Sequence, residues 1–119
     1  SKASSLSRFY FIKSKAIIEI LLEYGADINY KNERGNSLVK TMIFSCNLKD
    51  MAEFLLQKGA NPDIKDKNGD SILHYCIKNN FMLETMLLIK YGANMLLRDN
   101  FDHTAYDLAR GKGHLNIKE

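Results

Sequence analysis

Apolar residues recur at helical spacing in three separated stretches: Ile17, Ile18, Leu21 and Leu22; Met51, Phe54 and Leu55; and Met82, Met86 and Ile89. Steps of three and four residues place each set on one face of a helix, so each set is read as core packing. Each of these helices is expected to stop at a glycine, where the left-handed C-terminal position favours a residue without Cβ. A short polar stretch follows, suited to an extended two-stranded finger whose tight turn needs positive φ at Gly35 and Gly69. Asp102 holds this place in the third finger, and Asp tolerates that region better than most residues. Ser37, Ser71 and Thr104 come next, placed to cap a short first helix ahead of the apolar one. A single unit of this kind cannot bury its own apolar face; units stacked in series bury one another's.

Two phrases repeat in step. LLEYGADIN ends at Asn29, LLQKGANPD at Asp63 and LIKYGANML at Leu96, with Gly-Ala pairs separated by 34 and then 33 residues. NERGNSL precedes Val39, DKNGDSIL precedes His74, and DNFDHTAY precedes Asp107. Two phrases on one period near 33 mark a solenoid repeat.

SILHYCI, from Ser71 to Ile77, resembles the T-P-L-H-x-A phrase of the ankyrin family. TAYDLAR, from Thr104 to Arg110, followed by Gly113-His114, resembles a late or final repeat of that family. The resemblance runs over essentially the whole chain. It implies an all-α solenoid with short β-hairpin fingers: a single ankyrin repeat domain over 1–119, stacked from about three and a half units. The units fall at about 1–31, 32–65, 66–98 and 99–119, the first irregular before Lys15 and the last incomplete. Leu38, Ile72 and Ala105 stand where the family has proline, so the first helices lack that rigid residue. Gly35 to Gly59 spans 24 residues against 23 from Gly69 to Gly92, which predicts a longer or distorted inter-helix loop around Phe44 to Asn47. The last unit should begin its second helix at Ile117, leaving the Leu108 and Ala109 side uncovered, as in a segment of a longer polypeptide.

Composition narrows the function classes. The 119 residues are 45% hydrophobic and 26% charged, ordinary for a globular protein. A net charge of +3 and a pI of 8.8, with the basic residues dispersed, give no footprint for nucleic acid. No apolar run reaches the roughly 18 residues of a membrane helix, and the N-terminal stretch lacks the features of a signal peptide. Two cysteines, Cys46 and Cys76, are too few for a secreted disulfide scaffold, which favours an intracellular (cytoplasmic or nuclear) setting.

No catalytic constellation emerges, and no cofactor or metal is expected. His74 and Cys76 lie two residues apart on a helix and so face different ways; His74 matches the family's repeat histidine, whose implied role is bonding between adjacent turns. Asp99, Asp102 and His103 share one finger without a second group of ligands. Gly111-Lys112-Gly113 lacks phosphate-loop spacing and matches the family's inter-helix turn.

The resemblance implies a protein partner held on a concave face of finger tips and first helices. Residue by residue this marks Glu33, Arg34 and Asn36; Lys67, Asn68 and Asp70; Asn100, Phe101 and His103; and Lys78 and Asn79 on a first helix. Lys31, Lys65 and Arg98 occupy one column and form a basic row, with Tyr30, Ile64 and Leu97 as an apolar row on the opposite side of each strand. Such a surface suits an acidic segment carrying hydrophobic anchors, with Phe101 the best anchor site. Equally, the apolar row packs finger on finger and the basic row is a solvated edge. The other function class open to this sequence is a regulatory or phosphate-binding ankyrin segment of a larger, enzymatic polypeptide.

Overall fold

The computed structural model describes the backbone of residues 2–46 and 49–111, with side-chain surroundings over 13–43 and 49–111. Among the described residues six helices follow one another: α1 (Lys2–Glu23), α2 (Leu38–Cys46), α3 (Lys49–Gln57), α4 (Ile72–Lys78), α5 (Met82–Lys90) and α6 (Ala105–Gly111). The pairs α2/α3 and α4/α5 pack as hairpins, α6 packs on α4, and α1 packs on α3. Fingers separate successive pairs, each closed by little more than one bridge: Lys31 with Ser37, and Lys65 with Ser71.

Local chemistry sets these boundaries. Ser71 caps α4 in a reciprocal box, its side chain accepting from the His74 amide while the His74 ring accepts from the Ser71 amide. Ser37 Oγ likewise accepts from the Lys40 amide at 3.3 Å. Thr104 Oγ1 accepts from the Asp107 amide at 3.2 Å, and the Thr104 amide donates to Asp107 Oδ2 at 3.1 Å. At the other end, α3 stops in a Schellman turn: Gly59 donates to Leu56 O and Ala60 to Leu55 O, both at 3.0 Å. Gly59 holds φ +94°, open only to a residue without Cβ, and the alanine behind it is buried against the helix. Gly25-Ala26 repeats these bonds after α1, and Gly92-Ala93 repeats them after α5.

The core runs between the helix layers through Val39, Ile43, Leu55, Ile72, Leu73, Ile77 and Leu88, and Met51 and Phe54 are buried with it as expected. The other two apolar sets need correction. Met82 and Met86 are 49% and 60% exposed, and α5 buries Glu84, Thr85, Leu87 and Leu88 instead. Counting back from the terminating glycines aligns Met82 with Lys49 and Met86 with Glu53, which are outward positions. Helix α5 is apolar on both faces, so periodicity alone selects the wrong one. Ile17 and Leu21 are exposed, while Ile18 and Leu22 are half-buried. The reason is that, among the described residues, α1 is one continuous helix that packs on α3, and its side toward α3 is the covered one.

Two further expectations change. Ala109 is fully buried and Leu108 half-buried, because α6 lays this side on α4. The longer inter-helix loop was placed on residues that include Asn47, outside the described residues; the described bounds put additional length into α2, nine residues against seven in α4. Lys112, Gly113 and the helix start at Ile117 also lie outside the described residues.

Candidate partner-binding face

Each finger tip is built around one side-chain oxygen. Asn32 Oδ1 accepts from the amides of Arg34 (2.9 Å) and Asn36 (3.0 Å). Asp66 Oδ1 does the same for Asn68 and Asp70, and Asp99 Oδ1 for Phe101 and His103. These Asx turns present the residues between them, Glu33-Arg34, Lys67-Asn68 and Asn100-Phe101, to solvent. The turn is completed in the left-handed region by Gly35, Gly69 and Asp102, the last at φ +64°.

The basic row exists, but its lysines are engaged. Lys31 Nζ donates to Lys65 O at 3.2 Å, and Lys65 Nζ donates to Arg98 O at 2.7 Å. Each ammonium therefore staples its finger to the same position of the next. Arg98 turns back on its own finger, to Asp102 O at 2.9 Å and the Asp102 carboxylate at 3.5 Å. The Asp102 carboxylate is thus engaged by Arg98. Along the apolar row, Tyr30 is exposed while Ile64 and Leu97 are half-buried.

Behind the tips, the first helices supply a buried ion pair and a half-buried one. Lys40 Nζ reaches Asp66 Oδ2 at 2.7 Å, across to the next finger, and lies 4.8 Å from the centre of the Tyr75 ring. Burial pushes the Asp66 carboxyl up, but the hydrogen bonds from Lys40 and the Asp70 amide outweigh it and hold the group below its usual range. Lys78 Nζ grips both oxygens of Asp70, at 3.0 and 2.9 Å. His74 stands in the column of Lys40 but works differently. Its Nδ1 accepts from the Ser71 amide at 3.2 Å, which leaves the proton on Nε2 to donate to His103 O at 2.9 Å. One consequence is that Asp99 Oδ2, on a side chain 1% exposed, has no hydrogen bond, with Lys78 Nζ and His103 Nδ1 both at 3.9 Å. The two amides on Asp99 Oδ1 still keep its carboxyl below the usual range against the effect of burial. Cys76 is fully buried behind His74, and burial pushes its thiol up to about 12, far from a nucleophile's range.

Between successive fingers lie two open clefts. Arg34, Asn36, Lys40, Asp66, Asn68 and Tyr75 line the first; Lys67, Asn68, Asp70, Lys78, Asn100 and Phe101 line the second. Asn68 belongs to both. Eight of the fourteen residues marked from the sequence line these clefts: Arg34, Asn36, Lys67, Asn68, Asp70, Lys78, Asn100 and Phe101; Glu33 lines neither and stands exposed next to Arg34 at the tip. Lys31, Lys65, Arg98, Asn79 and His103 line neither cleft; Asn79 turns its amide to Tyr75 O at 2.8 Å. Lys40, Asp66 and Tyr75 were missed. Their signal was in the repeat register: Lys40 fills the histidine column, and Asp66 fills the column of Asn32 and Asp99.

A family model described as "Ankyrin repeats (3 copies)" matches residues 41–119, more than half of the chain. The chain belongs to the ankyrin-repeat family. Ankyrin repeats are non-catalytic modules for protein–protein interaction. A rice protein (Oryza sativa subsp. japonica) named probable E3 ubiquitin-protein ligase XBOS34 is 42% identical over 45 residues, 38% of this chain. The matched stretch spans 9% of that protein's length. Among the described residues no helix is long and apolar enough to cross a membrane.

Proposed function

We propose that this ankyrin-repeat chain holds a partner protein on the face formed by its finger tips and first helices, as an adaptor, scaffold or sequestering subunit. The observation that carries this reading is the pair of adjoining clefts between successive fingers. Both are open, both are walled by an aromatic ring, and both have a lysine in the floor already neutralised by an aspartate. A surface built this way offers shape, amide groups and apolar area without the cost of desolvating an unpaired floor charge. Site-specific photo-crosslinkers test it. One placed at Asn68 should capture a partner protein, and one at Lys90, on the outer helix layer, should not. Capture from Lys90 alone would move the binding face to the outer helices and refute the reading.

A further inference from the structure

The sequence directs attention to the row Lys31, Lys65 and Arg98, but those cations are engaged by backbone or by Asp102. The floor lysines are matched as well, Lys40 by Asp66 and Lys78 by Asp70. Two cations on the cleft walls remain. Among the described residues, Arg34 and Lys67 have neither an ion pair nor a side-chain hydrogen bond. They belong to the first two fingers, which touch where a Cβ at Gly35, next to Arg34 in the chain, would stand 3.0 Å from the Lys67 amide nitrogen and 3.2 Å from Lys67 Cγ. Arg34 lines the first cleft and Lys67 the second, on either side of their shared residue Asn68. Asn68, in the wall shared by both clefts, adds an amide that hydrogen-bonds peptide groups of either polarity. Beyond it in the second cleft stands Phe101, 76% exposed and stacked on His103 with ring centroids 6.5 Å apart.

Resting on the protein-binding reading above, we infer that the partner enters as an extended acidic segment. A carboxylate lies between Arg34 and Lys67, and an apolar side chain lies on Phe101. Packed elements of successive units are about 8–10 Å apart. The carboxylate position lies between the first and second fingers and Phe101 is on the third, about one and a half units or roughly 12–15 Å away. An extended chain rises about 3.3 Å per residue, so the two anchors are about four residues apart in the partner. The carboxylate supplies the charge the cationic pair lacks, and the guanidinium fork of Arg34 favours a planar anion. Phe101 supplies apolar area at low entropic cost. Glu33, beside Arg34 at the outer edge, disfavours a run of acids continuing in that direction and so sets the orientation.

The test is selection from a random-peptide library on the whole 119-residue chain, repeated on an Arg34→Glu, Lys67→Glu variant shown to be folded by circular dichroism. The expected result is enrichment of an acid with an apolar residue about four positions away. Selected peptides should bind the variant at least tenfold more weakly, and the variant should enrich basic peptides instead. Phe101→Ala should abolish the apolar preference and leave the acidic one. No enrichment, enrichment without an acid, or unchanged binding to the variant would overturn the inference. If acids are absent but the Asn68 crosslinker still captures a protein, the acidic-segment inference fails and the protein-binding face stands. If capture moves to Lys90, both fail. Binding matched by inorganic phosphate at equal concentration would also overturn it, since it would mark an anion site indifferent to peptide.

Discussion

Replacing His74 by alanine removes the side chain that joins three elements: the cap of α4, the finger that precedes it, and the backbone just ahead of α6. The imidazole is 1% exposed. Its Nδ1 lies 2.8 Å from Ser71 Oγ and accepts from the Ser71 amide, and its Nε2 donates to His103 O. Alanine keeps the cap bond from the residue 74 amide to Ser71 Oγ but strands the Ser71 amide; the His103 carbonyl loses one of its two donors and keeps the Asp99 amide at 3.0 Å. Each buried polar group left without a partner costs about 1–3 kcal/mol. The vacated ring volume adds a cavity term of about 1 kcal/mol or more. The total of about 2–4 kcal/mol is a large part of the roughly 5–15 kcal/mol that holds a domain folded. Because repeats are coupled only to their neighbours, the loss should concentrate where α6 meets α4. Urea denaturation followed by circular dichroism measures the total, and native-state hydrogen exchange of Ala105–Gly111 measures where it falls. A loss below about 1 kcal/mol, or α6 amides as protected as in the parent, would refute the assigned role of the ring.

Four further outcomes follow from the same contacts. Gly69→Ala should cost about 1–2 kcal/mol, since φ is +83° and the new Cβ would run into the Asn100 side chain; the urea midpoint reads it. Glu84→Met should raise the melting temperature by an amount equivalent to up to about 1 kcal/mol. It would replace a largely buried side chain, whose carboxyl has no hydrogen bond or ion pair among the described residues but still reaches solvent, by the residue found at the matching place, Met51. Lys65→Met should lower stability by only about 0.5–1.5 kcal/mol, the worth of one exposed staple, and should leave partner affinity unchanged where Lys67→Met weakens it. The folded-state carboxyls of Asp66 and Asp99 both lie below their unfolded values. The stability they contribute is therefore complete above an unfolded value of about pH 4 and is lost as pH falls through the lower folded values. Urea midpoints measured from pH 7 to pH 3 should hold steady and then drop. In Lys40→Met the drop should begin at higher pH, because Asp66 loses the hydrogen bond and the cation that favour its charged form.

The sequence by itself determined the architecture, because every boundary rests on a local interaction that recurs with the period. Ser37, Ser71 and Thr104 cap helices wherever they stand, Gly25, Gly59 and Gly92 end them, and Gly35, Gly69 and Asp102 turn the fingers. These are contacts between residues a few positions apart, so composition and spacing reveal them. What only the tertiary structure decided is which side chains are left over once neighbouring units have used the rest. Periodicity allows either face of α5 to be inward, and packing selects Thr85 and Leu88 over Met82 and Met86. Alignment places Lys31 and Lys65 in a row that reads as a binding surface, yet each ammonium is held by a carbonyl 34 or 33 residues away. Lys40, absent from every motif, finds its aspartate 26 residues on, and Arg34 and Lys67 remain as the open cations. Charge availability is a balance over contacts between units, and the partners of Lys40, Lys65 and Lys31 stand 26, 33 and 34 residues along the chain, beyond the reach of a local motif.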